Sequence, residues 1–341
     1  MQVTTVGLDL AKNIFHVHGV TETGDVAFNR PLRRAQVLAF FQRLSPCLVG
    51  IEACASSHHW ARELSKLGHT VRLMPPMYVK PYVKRGKSDA VDAEAICEAV
   101  TRPRPTMRFV EIKSKEQQAL LSLHRARDFV VRQRTQLINM VRSLAAEFGI
   151  TIARGVARAI EFAKSIIDGK QPGPPDLAQD VLRVLSRQLI DLHNRLGWYE
   201  TMLRIQARLS RQAQLLQTIP GVGPVTASAV AATIGSGRQF RSGREFSAWL
   251  GLTPRNHSSG GKERLGKITK MGDRYLRQLI VVGMTSRVRQ VAPHPERADP
   301  WLTKLLQRKP ARLATVAMAN KTARIMWAIL TRDEPYKPHA V

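Results

Sequence analysis

The chain begins with the stretch Val3-Thr4-Thr5-Val6-Gly7-Leu8-Asp9-Leu10, which decides the fold of the N-terminal third. Its β-branched residues predict a strand. A second strand is predicted over residues 14–20, and a weaker third strand over residues 26–29, after Gly24-Asp25. Asp9 is a carboxylate inside an apolar strand, where an unpaired charge is costly to bury. Asp9 is therefore a candidate functional residue.

Helices and strands alternate after these three strands. Apolar residues at helical spacing predict a helix over residues 32–44, and strands are predicted over residues 47–51 and 70–74. A helix over residues 60–67 ends at Gly68, and Ser88 can cap a further helix. This order of elements is that of an RNase H-like fold. We therefore predict an α/β domain of this class over residues 1–112.

Three more acidic residues fall where such a fold holds its functional groups. Glu52 ends the fourth strand, and Asp89 and Asp92 are three residues apart on one helix face. Carboxylates that meet in a small space raise one another's pKa unless a cation compensates them. Together with Asp9 they predict a site for Mg²⁺ or Mn²⁺. A structural alternative for Asp89 is stabilisation of the helix dipole.

The charge balance favours a polyanionic partner. The chain has 53 Lys and Arg against 26 Asp and Glu, a formal net charge of +27. No acidic side chain occurs between Glu200 and Glu245. Such an excess favours phosphate backbones, although a solvated basic surface is the plain alternative. Lys84, Arg85 and Lys87 precede the acidic helix and either bind nucleic-acid phosphates or balance the nearby carboxylates.

Other protein classes are disfavoured. No apolar stretch approaches the about 20 residues of a membrane helix, and the N-terminus lacks the regions of a signal peptide. The basic residues are spread over many elements, which disfavours a lipid surface. Cys47, Cys54 and Cys97 have no zinc-ligand spacing and indicate a reducing interior. We expect a protein of the cytoplasm with no membrane partner.

The middle of the chain predicts long helices. Arg102-Pro103-Arg104-Pro105 marks a boundary, and near-heptad apolar spacing predicts one helix over residues 115–148. A second is predicted over residues 176–209, after the Pro- and Gly-rich residues 169–175. Two such helices indicate an antiparallel hairpin or coiled coil over residues 113–215. The sequence is compatible with both a spacer arm and a dimerisation element in this region.

A mainly helical C-terminal domain is predicted over residues 216–341, beginning with a helix-hairpin-helix. Gly221 and Gly223 allow a tight turn that directs backbone N–H groups at a phosphate. Such a contact reads no sequence. An ordinary packing corner between two helices is the alternative. Because residues 201–244 contain no acid, the nucleic-acid interpretation is favoured.

A loop with adjacent serines follows in the same domain. Residues 255–264 contain Ser258-Ser259-Gly260-Gly261, which is usually a flexible turn. Arg255, Lys262 and Arg264 surround it and can stabilise charge that develops on phosphorus. The glycines let a backbone approach a phosphate closely. The residues thus permit a catalytic serine but do not establish one.

Taken together, these motifs resemble the DEDD transposases of the IS110 insertion-sequence family, which are bridge-RNA-guided recombinases. The closest likeness is to the IS1111 subgroup, and it covers essentially the whole chain. It rests on GLDLAKN (7–13), GIEAC (50–54), DAVDAEAI (89–96), PGVGP (220–224), GLTP with SG (251–254, 259–260) and GKITKMGD (266–273). No single motif is specific, but the set is.

The resemblance implies a recombinase that moves its own insertion sequence in a prokaryotic cell, acting at the nucleoid. It implies a RuvC-like metal site at the four acids and a serine nucleophile at Ser259, with Ser258 as the rival. It also implies dimers of dimers on an element-encoded bridge RNA that pairs with donor and target DNA. A serine that attacks phosphorus retains the bond as phosphoserine, so the strands can later be rejoined.

Two alternatives belong to other functional classes. A hydrolytic Holliday-junction-type nuclease would use the acids alone, which leaves the serine loop and the basic C-terminal half without chemistry. An inert nucleic-acid-binding protein would need the acids only as structure, which does not explain Asp9 in its apolar strand. Trapped covalent protein–DNA adducts would separate the recombinase from both.

Overall fold

The computed structural model describes residues 2–84, 86, 88–102, 107–170, 174–258, 261–262, 264–291, 293–294 and 299–338. The chain divides into two compact units, an N-terminal unit (Met1–Lys115) and a C-terminal unit (Glu116–Val341). The predicted helical region over residues 113–215 thus shares its compact unit with residues 216–341. A domain division at residue 215 stays a prediction.

The N-terminal unit is built on a mixed sheet of five strands in the order β3-β2-β1-β4-β5. The strands β1, β2 and β3 pair antiparallel, whereas β4 pairs in parallel with both β1 and β5. Their bounds are Val3–Asp9 (β1), Ile14–Thr21 (β2), Val26–Arg33 (β3), Leu48–Glu52 (β4) and Thr70–Met74 (β5). The prediction of an α/β unit with five strands is confirmed.

Four helices accompany the sheet: α1 (Val37–Gln42), α2 (Ser57–Lys66), α3 (Pro76–Val79) and α4 (Asp89–Val100). The helix predicted over residues 32–44 is wrong at its start, because β3 continues to Arg33. Leu32 and Arg33 pair with Phe15 and Ile14 of β2, so these two residues belong to a strand and not to the helix. Leu32 is buried as a strand residue.

The two faces of the sheet carry different neighbours. Side chains that alternate along β1 and β4 form one apolar core with α1 and α2, through Val6, Leu8, Val49 and Ile51. The intervening residues are the glycines Gly7 and Gly50 and the acids at the strand ends, and this face carries α4. The alternation therefore places Asp9 and Glu52 on the α4 side.

The C-terminal unit is mainly helical. Its elements are α5 (Lys115–Glu147), α6 (Val156–Ile167), α7 (Asp176–Leu209), α8 (Arg211–Gln217), α9 (Pro224–Ile234), α10 (Gly243–Trp249), the hairpin β6 (Pro254–Asn256) and β7 (Leu265–Ile268), α11 (Arg274–Val291), α12 (Pro300–Arg308) and α13 (Ala311–Arg332). Both long helices of the predicted hairpin are present as α5 and α7. The mostly helical character of this region is confirmed.

The prediction of two helices joined by a turn missed α6. This helix packs in one core cluster with α5 and α7 through Ala159, Ile160 and Ala163. Apolar residues at helical spacing from Val156 to Ile166 carried the signal. Three helices therefore share this core, and a simple two-helix coiled coil is not what the structure contains.

A buried polar chain ties three helices of this unit together. His124 of α5 lies 3.1 Å from the Ser228 Oγ of α9 and 3.1 Å from the Tyr275 hydroxyl of α11, through opposite ring nitrogens. The His124 side chain is 1% exposed. Burial, with a smaller effect of Arg127, lowers the pKa of His124 to about 4. The ring is therefore neutral at physiological pH.

This histidine predicts a loss of stability in mild acid. The unfolded chain protonates His124 near pH 6.5, whereas the folded chain keeps it neutral down to about 4. Stability should therefore fall between pH 6.5 and 4, by as much as about 3 kcal/mol. In His124→Gln, urea unfolding at pH 7 and at pH 4.5 should differ less than in the unchanged chain. The exposed His257→Gln is the control, and an equal pH effect in all three proteins would contradict the assignment.

Candidate active site

The close approach of α4 to the sheet creates the acidic site of the N-terminal unit. A Cβ built on Gly7 would lie 2.1 Å from the Ala93 carbonyl oxygen and 2.5 Å from the Cys97 amide nitrogen. A Cβ on Gly50 would lie 2.7 Å from the Val100 Cβ. All three distances are shorter than packed atoms tolerate. The two glycines are therefore what lets α4 rest directly on β1 and β4.

This approach brings three of the four predicted acids together. Carboxylate oxygens of Asp9, Asp89 and Asp92 lie within 4.8 Å of one another. Asp9 ends β1, while Asp89 and Asp92 lie in the first turn of α4, whose N-terminus is capped by Ser88 through the Val91 amide. Burial raises the pKa of Asp9, and the charges of Asp92 and Asp89 raise it further.

Glu52 stands beside this triplet rather than within it. It follows Ile51, which pairs with Leu8 of β1, so Glu52 and Asp9 leave neighbouring parallel strands at the same edge. Burial raises the pKa of Glu52, and the charges of Asp9 and Asp92 add to the shift. Glu52 is therefore coupled to the triplet through both Asp9 and Asp92.

The donor set fits a divalent cation. Carboxylate oxygens are the ligands that Mg²⁺ and Mn²⁺ prefer, and a bound cation relieves the repulsion that raises the pKa of Asp9 and Glu52. Asp9 and Asp92 are half-buried and Asp89 is exposed, so the site is open on one side. That opening would leave room for a phosphodiester beside a bound cation.

His16 is a neighbour of Asp9 that was not predicted from the sequence. It pairs with Asp9 across the β1–β2 ladder, and its charge lowers the pKa of Asp9. Its Nε2 atom lies 2.8 Å from the Asn29 Oδ1 of β3. The hairpin register could have revealed it, because the turn between β1 and β2 sets residue 16 opposite residue 9.

The basic residues before α4 divide into two groups. Lys84 forms an ion pair with Glu94 of α4, and the hydrogen bond from Lys84 lowers the pKa of Glu94. This contact agrees with the charge-balancing interpretation for Lys84. Arg85 and Lys87 lie outside the described residues. A nucleic-acid role for all three stays a prediction.

The serine loop of the C-terminal unit is carried by the β6–β7 hairpin. Ser258 is held there: its Oγ donates to the Asn256 Oδ1 and accepts from the Arg264 amide at 3.2 Å. Ser259 lies outside the described residues. Because these bonds engage the Ser258 hydroxyl within the hairpin, Ser258 is the weaker candidate for a nucleophile.

The three predicted basic residues of this loop all reach solvent. Lys262 and Arg264 are exposed, and Arg255 is exposed while donating to the Thr269 carbonyl at 3.3 Å. Arg255 lies in β6, Lys262 and Arg264 precede β7, and the His257 amide donates to the Arg264 carbonyl at 2.9 Å. Positive charge therefore surrounds the loop that contains the serines.

Two glycines fix the base of the hairpin. Gly251 and Gly272 have φ of 70° and 77°, in the left-handed region that favours glycine. A Cβ on Gly272 would lie 1.7 Å from the Trp249 carbonyl oxygen, and one on Gly251 would lie 2.2 Å from the Met271 carbonyl oxygen. The chain segments cross here with no space for side chains, which sets the direction in which the hairpin leaves α10 and α11.

The glycines of the predicted helix-hairpin-helix have different roles. Gly221 has φ of 86°, and its backbone packs against Gly283 of α11, where a Cβ would lie 2.3 Å from the Gly221 carbonyl oxygen. Gly223 caps α9 and borders open space. Gly221 thus serves packing between helices, and a phosphate contact at this turn stays a prediction.

A groove beside the hairpin was not foreseen from the sequence. Its volume is 1550 Å³, and it is bounded by the hairpin, α10, α12 and α13. The described residues that line it include Trp301 and Trp327, no acidic side chain, and six basic side chains: Arg244, Lys267, Lys270, Arg312, Lys321 and Arg324. The groove thus combines apolar surface with positive charge.

The comparisons with known proteins identify the family of the chain. A family model described as "Transposase", of the DEDD type, matches residues 6–149, and one described as "Transposase IS116/IS110/IS902 family" matches residues 213–299. A probable family 20 transposase of Pseudomonas aeruginosa is 50% identical over 99% of this chain and 100% of its own length. The chain belongs to the IS116/IS110/IS902 family of transposases. Such enzymes cleave DNA strands and transfer them.

Other transposases of this kind match over nearly the full chain. The transposase of insertion sequence element IS1111A of Coxiella burnetii is 40% identical, covering 98% of this chain and 92% of the relative. That of element IS1328 of Yersinia enterocolitica is 38% identical, covering 97% of both. The resemblance to IS110 and IS1111 transposases is therefore confirmed. Within the described part of the chain, no helix has the length and apolar character to cross a membrane.

The Gly7 contact predicts a coupled loss of stability and metal affinity in this transposase. Gly7→Ala places a methyl group 2.1 Å from the Ala93 carbonyl oxygen, so α4 must shift away from β1 and carry Asp89 and Asp92 with it. We expect a loss of about 1–3 kcal/mol in unfolding free energy, and weaker Mn²⁺ binding by calorimetry.

Gly19→Ala on the neighbouring strand is the control. The atoms nearest to its new methyl group belong to the side-chain ring of Phe28 rather than to backbone. An equal loss of Mn²⁺ affinity in both variants would contradict the role of Gly7.

Proposed function

We propose that this transposase cleaves and rejoins the DNA of its insertion sequence through a phosphoserine at Ser259. Divalent cations held by Asp9, Glu52, Asp89 and Asp92 assist the reaction. The observation that carries the proposal is the meeting of Asp9, Asp89 and Asp92 within 4.8 Å, in a chain that belongs to a transposase family. A strand-joining reaction needs no external energy source if the phosphoester bond is kept.

The sheet supports an RNase H-like, RuvC-like assignment of the N-terminal unit. Three antiparallel strands followed by two parallel ones, in the order β3-β2-β1-β4-β5, place Asp9 on the central strand. Glu52 ends the adjacent parallel strand, and α4 supplies the remaining acids. The succession of elements and the position of each acid agree with one another.

The chemistry divides between the two units. Bound Mg²⁺ or Mn²⁺ would polarise the phosphodiester and lower the pKa of the attacking hydroxyl. The Ser259 Oγ forms a bond to phosphorus while the bond to a DNA oxygen breaks; the serine proton passes to solvent and the leaving oxygen gains one. Rejoining reverses these steps with a new DNA hydroxyl. Arg255, Lys262 and Arg264 stabilise the charge on phosphorus.

The partners follow from charge and family. Donor and target DNA are double-stranded, and a bridge RNA encoded by the element pairs with both. The formal charge of +27 and the basic groove support binding to these polyanions. Pro254, Lys267 and Ile268 of the hairpin line the groove, so a strand that lies there would contact the element that carries the serine loop. The transposase acts as a homo-oligomer, a dimer of dimers, so that serine and acids can come from different subunits.

The phosphoserine is tested by trapping covalent adducts. With a DNA substrate nicked so that rejoining fails, the unchanged chain should give a protein–DNA band that survives denaturation. Ser259→Ala should abolish this band, and so should Asp92→Asn, because the metal ligands are incomplete. Binding of the RNA should survive both changes. Ser258→Ala is the matched control and should keep the adduct.

Three outcomes would contradict this assignment. Adducts that persist in Ser259→Ala would exclude Ser259 as the nucleophile. Free nicked ends with no adduct in the unchanged chain would favour the hydrolytic nuclease. No cleavage in any condition with divalent metal, despite tight binding, would favour the inert binding protein.

The groove is tested by the salt dependence of DNA binding. Lys267→Gln with Arg312→Gln removes two cations from its walls. Affinity should fall, and the slope of log K against log salt should shrink by about 1 for each phosphate that is no longer neutralised. Lys304→Gln with Arg308→Gln, on α12 but outside the groove lining, is the matched control. Equal effects of the two double variants would show that only net charge matters.

A further inference from the structure

The basic groove of the C-terminal unit contains apolar side chains that a phosphate backbone by itself does not need. Trp301 of α12 is 39% exposed and Leu313 of α13 is 58% exposed, and both line the groove. Val316 and Ala317 add further apolar surface between the basic residues. Large apolar side chains gathered at an exposed groove mark an interaction site. The occupant should therefore present apolar surface as well as negative charge.

One face of α13 forms the floor of the groove. Leu313, Ala317, Asn320, Arg324 and Trp327 follow one another at intervals of three or four residues, so they lie on the same side of the helix. At 1.5 Å per residue, the floor from Leu313 to Trp327 is about 21 Å long. A stacked strand rises about 3.4 Å per nucleotide, so the floor is long enough for up to about six nucleotides.

Trp301 is held in place by two charged neighbours. The Lys321 ammonium lies 4.4 Å from the centroid of the Trp301 ring, as a cation–π pair. Lys321 also forms an ion pair with Asp299 at 3.0 Å, and the Asp299 carboxylate accepts a hydrogen bond from the Trp301 amide at 2.7 Å. These contacts join α12 to α13. A ring restrained in this way loses little conformational entropy when a ligand stacks on it.

The second tryptophan of the groove has a structural role. The Trp327 Nε1 donates to the Gly237 carbonyl at 3.1 Å, and the Trp327 side chain packs against the hydrophobic core of the C-terminal unit. Trp327 is therefore part of the floor. Of these two rings, Trp301 is the one that is available for stacking.

The charges around this apolar surface are those of a site for an anionic strand. Arg244 comes from α10 and Lys267 from β7, while Arg312 and Arg324 lie near the two ends of the α13 floor. None of the described residues that line the groove is acidic. Cations therefore flank the apolar floor along its length, in the arrangement expected for successive phosphates.

This combination fits an unpaired strand better than a duplex. In a duplex the base faces stack on one another, and the grooves present only base edges to a protein. A tryptophan face then has no base face to contact. An unpaired strand exposes its base faces, which stack on aromatic side chains while the phosphates meet basic ones.

We propose that the groove binds an unpaired segment of nucleic acid, with one base stacked on Trp301 and the phosphates on the basic side chains around the α13 floor. The segment can belong to an RNA or to a DNA strand separated from its complement, because both present base faces and phosphates. This proposal rests on the proposed function in that the groove takes nucleic acid. It adds the strand state that the groove selects and the residue that selects it.

The first test separates stacking from charge. Binding of the full-length chain to a short thymidine oligonucleotide, to an abasic strand of equal length and to a duplex of equal length is measured by fluorescence anisotropy. Trp301→Ala should weaken binding of the thymidine strand about 5- to 150-fold. Binding of the abasic strand and of the duplex should stay nearly unchanged, because neither offers a base face.

Two further variants control this measurement. Trp301→Phe keeps an aromatic ring and should retain most of the affinity for the thymidine strand. Trp198→Ala removes a tryptophan of α7 that is 57% exposed and does not line the groove, and it should have no effect. Unchanged binding of the abasic strand by Trp301→Ala also shows that the basic side chains of the groove are still in place.

The second test locates the base and identifies its source. Single strands that contain 5-iodouracil, one of RNA and one of DNA, are irradiated with the full-length chain, and the cross-linked peptide is identified by mass spectrometry. We expect a cross-link at Trp301 with at least one of the two strands. The strand that cross-links more efficiently identifies the source of the unpaired segment.

The proposal is overturned if Trp301→Ala weakens binding of the thymidine and abasic strands equally, or if the duplex loses as much affinity as the single strand. Cross-links with both strands that all fall outside the groove would also overturn it. These outcomes are separate from the fate of the phosphoserine, because Ser259→Ala should keep base-dependent binding. An unchanged chain that binds in this way but forms no adduct would contradict the proposed chemistry alone.

Discussion

The fit of α4 against the central strands is the constraint on which the N-terminal unit depends. At Gly7 and Gly50 the helix backbone reaches the strand backbone without any side chain between them. That contact serves two purposes at once. It closes the core on one face of the sheet, and it holds the first turn of α4 over the end of β1, where Asp9 meets Asp89 and Asp92. The close contact at Gly7 and Gly50 is therefore the cause of both the packing of α4 on the sheet and the acidic site.

The acidic site is unfavourable without a compensating charge. Asp9 and Glu52 are partly buried, and their neighbours are acids, so the pKa of each is raised. Carboxylates gathered in this way repel one another, and a bound divalent cation would relieve that repulsion. The surrounding chain is strongly basic. The basic surface thus attracts DNA phosphates over a wide area, whereas the acidic site repels them unless a metal ion lies between the carboxylates and the phosphate.

The C-terminal unit uses glycine in the same way for a different purpose. Gly251 and Gly272 let chain segments cross at the base of the hairpin, and Gly221 lets a turn pack on α11 at Gly283. The contacts at Gly251 and Gly272 fix the base of the hairpin that carries the serine loop.

The sequence by itself determined the succession of strands, the two long helices and the identity of the acids, because hydrophobic periodicity and strand alternation are local properties. It misplaced the start of α1, since pairing with β2 extended β3 to Arg33. It missed α6, although apolar residues at helical spacing from Val156 to Ile166 marked this helix. Three features were decided only by the tertiary structure: the close contact of α4 with Gly7, the pairing of His16 with Asp9, and the six basic side chains that line one groove. The reason is that contacts between residues far apart in sequence depend on how the elements pack.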